Sequence, residues 1–389
     1  MSRFLFVVPP LTGHINPTVS VGGELAARGH DVAWAGHPAM LRSLLPDGAR
    51  IFPAISDAFD RKLEADRQRW LSLRGAAALK FFWESFAHPL GHEMMPAVEA
   101  AIAHFVPDVV VADQQAMAGA VAARKMGVPW ATSASTPGEL LQPLAGIPKV
   151  DEWIRDQMAA FQRACGLADP VDLRFSGQLM LVFATPALIG DVSGFGGHYI
   201  FTGPALSGRP DRGTFNWEWL DPGRKCVLVS LGTLNGGAGE RFFELVVDAL
   251  GRLGQQLQAV VVAPAGQRPE NIPPHILFTE HVPQLALLPH LSAVVSHGGY
   301  NTVGETLAHG LPLVVAPIRD DQPINAELVA AAGAGVRVRF GRLRAAELAA
   351  AVCAVLDDPQ YAAAARRIRD SFDAAGGASA AADHLEKLA

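Results

Sequence analysis

Apolar runs of strand length alternate with longer helical patterns over most of the 389 residues, and that alternation leaves few folds open. A strand covered by helices on both faces reads as an almost continuous apolar run, and such strands belong to parallel sheets. In the first half, strands are expected over 4–8, 31–35, 50–55, 108–113, 130–134 and 179–184. In the second half they are expected over 226–231, 259–263, 276–278, 293–296, 313–316 and 336–339. The stretch 76–105 reads as helical, broken at Pro89 and Pro96 because proline lacks the N–H and crowds the preceding turn. Both halves therefore read as doubly wound α/β units.

The chain is longer than one hydrophobic core usually supports, which favours two domains. The expected division is an N-terminal domain over 1–203, a linker over 204–224, a second domain over 225–358 and closing helices over 359–389. The linker region opens with a Gly- and Pro-rich, charged stretch without periodicity. Half the residues are hydrophobic and 18% are charged, so disorder is excluded. A formal net charge of −6 and the lack of Lys or Arg runs argue against nucleic acid as a partner. No run of about 18 apolar residues spans a bilayer and no secretory segment is evident, so a cytoplasmic location is expected. Three widely spaced cysteines, Cys165, Cys226 and Cys353, fit a reduced compartment and do not fit structural zinc.

The common nucleotide fingerprints GxxxxGK[ST] and GxGxxG are absent, as is the esterase motif GxSxG. After the first strand comes Thr12-Gly13-His14-Ile15-Asn16-Pro17. Asn16 is expected to cap a helix there, Pro17 to occupy its first turn and Gly29 to follow its end. His14 then sits at the carboxyl end of a parallel strand, where open α/β sheets place ligands. A histidine that only hydrogen-bonds the turn is the competing reading. Asp113 ends the fourth strand on the same sheet edge. It can accept the imidazole N–H, fix the tautomer and stabilise an imidazolium, or it can simply cap the following turn.

The second half carries Ser296-His297-Gly298-Gly299-Tyr300-Asn301-Thr302, a strand end, a glycine turn and a helix start. Backbone N–H groups and the positive end of the helix dipole converge there, with His297, Asn301 and Thr302 as further donors, which suits a pyrophosphate. Glu305 lies one turn further on and can accept from ribose hydroxyls. A second glycine loop follows Ser230, with Gly232 and Thr233. Asp321 and Gln322 follow a later strand, as a pair suited to vicinal sugar hydroxyls or as a solvated helix start.

At these motifs the chain resembles the nucleotide-sugar-dependent glycosyltransferases of the GT-B fold, most of all the bacterial macrolide and natural-product enzymes related to UDP-glucuronosyl and plant secondary-product transferases. The resemblance runs from Gly13-His14 through His281-Val282-Pro283-Gln284, the 297–305 turn and Asp321-Gln322-Pro323-Ile324-Asn325 to the terminal helices. It implies two Rossmann-like domains facing a cleft and an inverting hexosyl transfer from a UDP- or dTDP-sugar without a bound metal or other cofactor. His14 would be the general base oriented by Asp113. His297, the Gly299 backbone, Asn301 and Thr302 would hold the diphosphate, assisted by Ser230, Gly232 and Thr233. Glu305 would hold the ribose, and Asp321 and Gln322 the sugar. The Val282 segment would meet the base. His281 stands where many relatives carry a stacking aromatic, which leaves UDP and dTDP both open. The acceptor would be a lipophilic or aromatic aglycone, met by Phe82, Trp83, Phe86 and Met94 unless these form the apolar face of a core helix. A monomer or homodimer is expected. A sugar-nucleotide 2-epimerase of similar fold and a non-catalytic partner subunit are the alternatives.

Overall fold

The computed structural model describes residues 1–141, 146–210, 213–232 and 239–389. Thr233 lies outside them. The described chain forms two compact units. The first comprises 1–185, 191–210 and 375–389, and the second comprises 186–190 and 211–374.

The first unit is built on a seven-stranded parallel sheet in the order β3-β2-β1-β4-β5-β6-β7. Its strands are β1 (Arg3–Val7), β2 (Asp31–Gly36), β3 (Arg50–Pro53), β4 (Val109–Asp113), β5 (Trp130–Ala134), β6 (Leu179–Val182) and β7 (Tyr199–Phe201). The second unit carries a six-stranded parallel sheet in the order β10-β9-β8-β11-β12-β13. Its strands are β8 (Lys225–Ser230), β9 (Leu257–Val262), β10 (Ile276–Thr279), β11 (Ala293–Ser296), β12 (Leu313–Val315) and β13 (Gly335–Arg337). The central strands β1, β4, β8 and β11 are buried along nearly their whole length, as their unbroken apolar runs require. In each sheet the direction of winding reverses beside the first strand, between β1 and β4 and between β8 and β11. Such a switch point leaves a crevice at the carboxyl ends of the two strands.

β7 was not expected: three residues between glycine-rich turns give too short a pattern to read. The expected proline breaks also differ from what forms. A helix over Gly75–Phe81 passes through a wide π-turn at Phe82–Ala87 into a helix over His88–Phe105 that contains Pro96. The π-turn relieves the clash that Pro89 would impose one turn earlier. Pro96 is carried because Met94, Met95, Val98 and Ile102 bury the inner face of the helix in the core.

The closing helices divide instead of forming one appendage. The helix Pro359–Ala375 stays almost wholly with the second unit, while Gly377–Leu388 belongs to the first and packs on the helix Thr12–Ala27. Arg28 fastens it: its guanidinium donates to Asp383 at 2.6 Å, to Glu386 at 3.1 Å and to the Ser379 hydroxyl at 2.8 Å.

Candidate functional site

The first group of expected site residues gathers at the β1–β4 switch point. The helix after β1 begins at Thr12, earlier than expected, because the Leu11 carbonyl accepts from the N–H groups of both His14 and Ile15. Asn16 is therefore not its cap, and Pro17 lies inside it, forgoing one bond to the Gly13 carbonyl near the helix start. Gly29 follows the end of this helix, as expected, in a left-handed conformation.

His14 thus projects from the first helical turn, where its Nδ1 lies 2.9 Å from Oδ1 of Asp113. The Asp113 side chain is fully buried and that of His14 is 14% exposed. Asp113 also caps the following turn, its Oδ1 accepting from the Gln115 N–H at 2.9 Å, so this one oxygen meets both the imidazole and the turn. A buried carboxylate only accepts, so Nδ1 carries the hydrogen and Nε2 presents its lone pair.

Two partners escaped the sequence reading. Ser135, just past β5, places its Oγ 2.6 Å from His14 Nδ1. Glu139 stands near the pair and 3.6 Å from Arg174, and burial pushes its carboxyl up to about 7 against the pull of Arg174. A quarter of its side chain still reaches solvent, which tempers that shift. Neither residue belongs to a motif, and only the β4–β5 pairing brings them to this edge.

Of the aromatic and thioether residues, Trp83, Phe86 and Met94 are buried in the continuous core, and Phe82 is half-buried at its margin. The structure places the first three on the core face of their helix.

The second group lies at the β8–β11 switch point. Ser230 and Ser296 are register partners at the ends of their strands. Each hydroxyl accepts from the amide two residues on, Gly232 at 3.3 Å and Gly298 at 3.0 Å. His297 is 8% exposed and its ring is held between two glycines. A Cβ on Gly232 would lie 2.5 Å from its Cε1, and one on Gly299 2.5 Å from its Nε2. Gly232 in addition has φ +70°. Burial holds the imidazole down at about 4, with the nearby positive charge of Arg319 lowering it further. Nδ1 of His297 is buried without a hydrogen-bond partner among the described residues. At neutral pH His297 is neutral and brings no charge, and its ring is hydrogen-bonded to the Ser230 backbone, which offsets part of the burial effect.

The helix Tyr300–Ala308 starts at Gly299 without a side-chain cap, so its first amides, at half-buried Asn301 and Thr302, are aimed at this turn. Glu305 is buried, and the Gln284 amide donates to its Oε2. His281 is exposed and Val282 half-buried, immediately before Gln284. Gln322 turns its Oε1 onto the N–H groups of Ile318 and Arg319, at 2.9 and 3.1 Å, leaving its Nε2 for any other role. Asp321 is half-buried beside it. Arg319 was missed because a lone arginine between apolar and acidic residues gives no pattern. It is buried next to His297.

Residues 209–370 match the family model for UDP-glucoronosyl and UDP-glucosyl transferases. The chain is 30% identical to 4'-demethylrebeccamycin synthase of Lentzea aerocolonigenes, over 100% of this chain and 99% of that protein. The chain belongs to this glycosyltransferase family. The glycosyltransferase is also similar to the solved glycotransferase of kitacinnamycin, with 27% identity and a TM-score of 0.78 over 100% of this chain and 98% of that one. It shares its fold with a spinosyn rhamnosyltransferase complexed with thymidine diphosphate, at 23% identity and a TM-score of 0.74 over 99% and 100% of the two chains. The architecture is GT-B. No described helix is long and apolar enough to cross a membrane.

Proposed function

We propose that this glycosyltransferase moves a hexose, with inversion, from a UDP- or dTDP-sugar to a hydroxyl of a lipophilic or aromatic natural product. The observation that carries the mechanism is the 2.9 Å contact between His14 Nδ1 and the buried carboxylate of Asp113. The acceptor O–H proton passes to His14 Nε2 as the oxygen attacks the anomeric carbon. The bond from that carbon to the diphosphate oxygen breaks, and its electron pair leaves with the nucleoside diphosphate. Asp113 holds the tautomer and stabilises the imidazolium. A single displacement inverts the anomeric centre.

The leaving diphosphate is met by the first amides of the Tyr300–Ala308 helix, by Asn301 and Thr302, and by a hydrogen bond from His297, with Arg319 as the fixed positive charge. This arrangement calls for no metal. Ser230 and Gly232 shape the facing loop, Glu305 receives the ribose and the 281–282 backbone the base. Asp321 and the Gln322 amide receive the sugar hydroxyls. Both nucleotides are retained: the family model names UDP-sugar enzymes, and a solved neighbour holds thymidine diphosphate.

Calorimetric titration with UDP, dTDP and their glucose conjugates tests the donor half. Wild type is expected to bind at least one pair, and His297→Ala to lose tenfold or more in affinity. Native affinity in the variant would remove His297 from the site. Epimerisation of a nucleotide sugar without any acceptor would replace the transferase reading.

A further inference from the structure

Asn325 lies one helical turn beyond Asp321 and is 1% exposed. Its Nδ2 donates to the carbonyl of Gly298 at 2.9 Å and to Oδ2 of Asp321 at 3.0 Å. Both partners are acceptors, so the orientation of the amide is fixed: two N–H bonds meet two oxygens, and the reversed amide would set oxygen against oxygen. Its Oδ1 is left buried without a hydrogen-bond partner among the described residues. A buried orphan acceptor costs stability, so the side chain is kept for the two bonds its nitrogen makes.

Those bonds tie together two loops that leave different strands. One is the glycine turn after β11, whose Gly298 amide is already held by Ser296. The other is the 318–322 loop after β12, closed on itself by Gln322. Asp320 in that loop holds φ +53°, the left-handed turn that Asp, with Asn, adopts more readily than other non-glycine residues. With Gln322 closing the loop and Asn325 anchoring it, the Asp321 carboxylate has one arm fixed against the neighbouring strand end.

We propose that Asn325 is a positioning residue that aims the Asp321 carboxylate at the donor sugar, using the Gly298 carbonyl as its anchor. This rests on the reading of Asp321 as a sugar-binding residue. An unanchored carboxylate on a surface turn samples several rotamers, and binding must then order it. A preset carboxylate gives the sugar its contribution without that cost. The nucleotide portion is met by other residues, and the Gly298 amide is held separately by Ser296, so the Asn325 amide bears less on the nucleotide than on the sugar.

The test is calorimetry with dTDP against dTDP-glucose and UDP against UDP-glucose, on wild type, Asp321→Ala, Asn325→Ala and Asn325→Ser. The expected result is a sugar-dependent gain in affinity in wild type that falls five- to tenfold in all three variants, a clearly larger loss than any in affinity for the free nucleotide. The double variant Asp321→Ala/Asn325→Ala should lose no more than either single one, because both remove the same contact. Equal losses for nucleotide and sugar nucleotide in the Asn325 variants would make the amide merely structural and overturn the inference. So would an unchanged sugar increment in those variants alongside its loss in Asp321→Ala. An intact increment in Asp321→Ala, or no binding of either pair to wild type, would instead bring down the donor reading, and the inference with it. The small, neutral Asn325→Ser carries the test where the alanine variant does not fold.

Discussion

Replacing Gly299 by alanine isolates the contact that seats His297. Gly299 has φ −60° and ψ 133°, a conformation open to any residue, so alanine brings no backbone strain. Its Cβ would lie 2.5 Å from Nε2 and 2.9 Å from Cε1 of His297. Ordinary non-bonded contact is about 3.5 Å, so the ring must recede by roughly 1 Å. Overpacking of this kind costs about 1–3 kcal/mol of stability. A hydrogen bond to a charged group is worth about 1.5–3 kcal/mol, and a donor displaced by roughly 1 Å forfeits most of it. The affinity of Gly299→Ala for UDP and dTDP is therefore expected to fall at least tenfold, about 1.4 kcal/mol. Gly232→Ala should add about 1 kcal/mol of further destabilisation, because φ +70° is left-handed. Calorimetry beside a thermal melt separates binding from folding. A folded Gly299→Ala with wild-type affinity for both nucleotides would refute the reasoning.

Glu139, a quarter of whose side chain reaches solvent, gives a pH signature. Its carboxyl is raised from 4.5 to about 7, so the folded state holds the proton more tightly than the unfolded chain. Stability is lost at this site as pH rises through that interval, and the loss is complete above it. Glu139→Gln should narrow the difference in melting temperature between pH 5 and pH 8, and an unchanged difference would contradict the assignment. Arg28→Ala should loosen the last helix, which Arg28 joins through Asp383, Glu386 and Ser379. The cost is expected at about 1 kcal/mol, since these groups are partly exposed. Faster amide exchange confined to residues 377–388 and their contacts would report it, and unaltered exchange there would contradict it.

The sheets were legible because β4, β8 and β11 are buried on both faces and read as unbroken apolar runs. β7 was illegible for the opposite reason: Tyr199–Phe201 is three half-buried residues between turns. His14, Asp113 and His297 were found because each follows or ends such a run, and strand ends at a switch point gather without further information. Ser135 reaches His14, and Glu139 the neighbourhood of the pair, only through the pairing of β4 with β5, which no local pattern encodes. The early helix start that moved Asn16 and Pro17 inside was hidden because Leu11 caps it with its backbone carbonyl alone. Trp83, Phe86 and Met94 illustrate a limit of composition: an aromatic stripe at helical spacing reads the same for a pocket as for a core, and here it packs in the core.

The most direct test of base catalysis by His14 compares wild type with His14→Ala in single-turnover transfer from UDP-glucose and dTDP-glucose to a panel of planar phenols. Nucleotide affinity is measured on the same preparations. Loss of the base should lower the rate by about 10²–10⁴-fold while leaving nucleotide affinity within twofold. Wild-type turnover in His14→Ala would contradict the account.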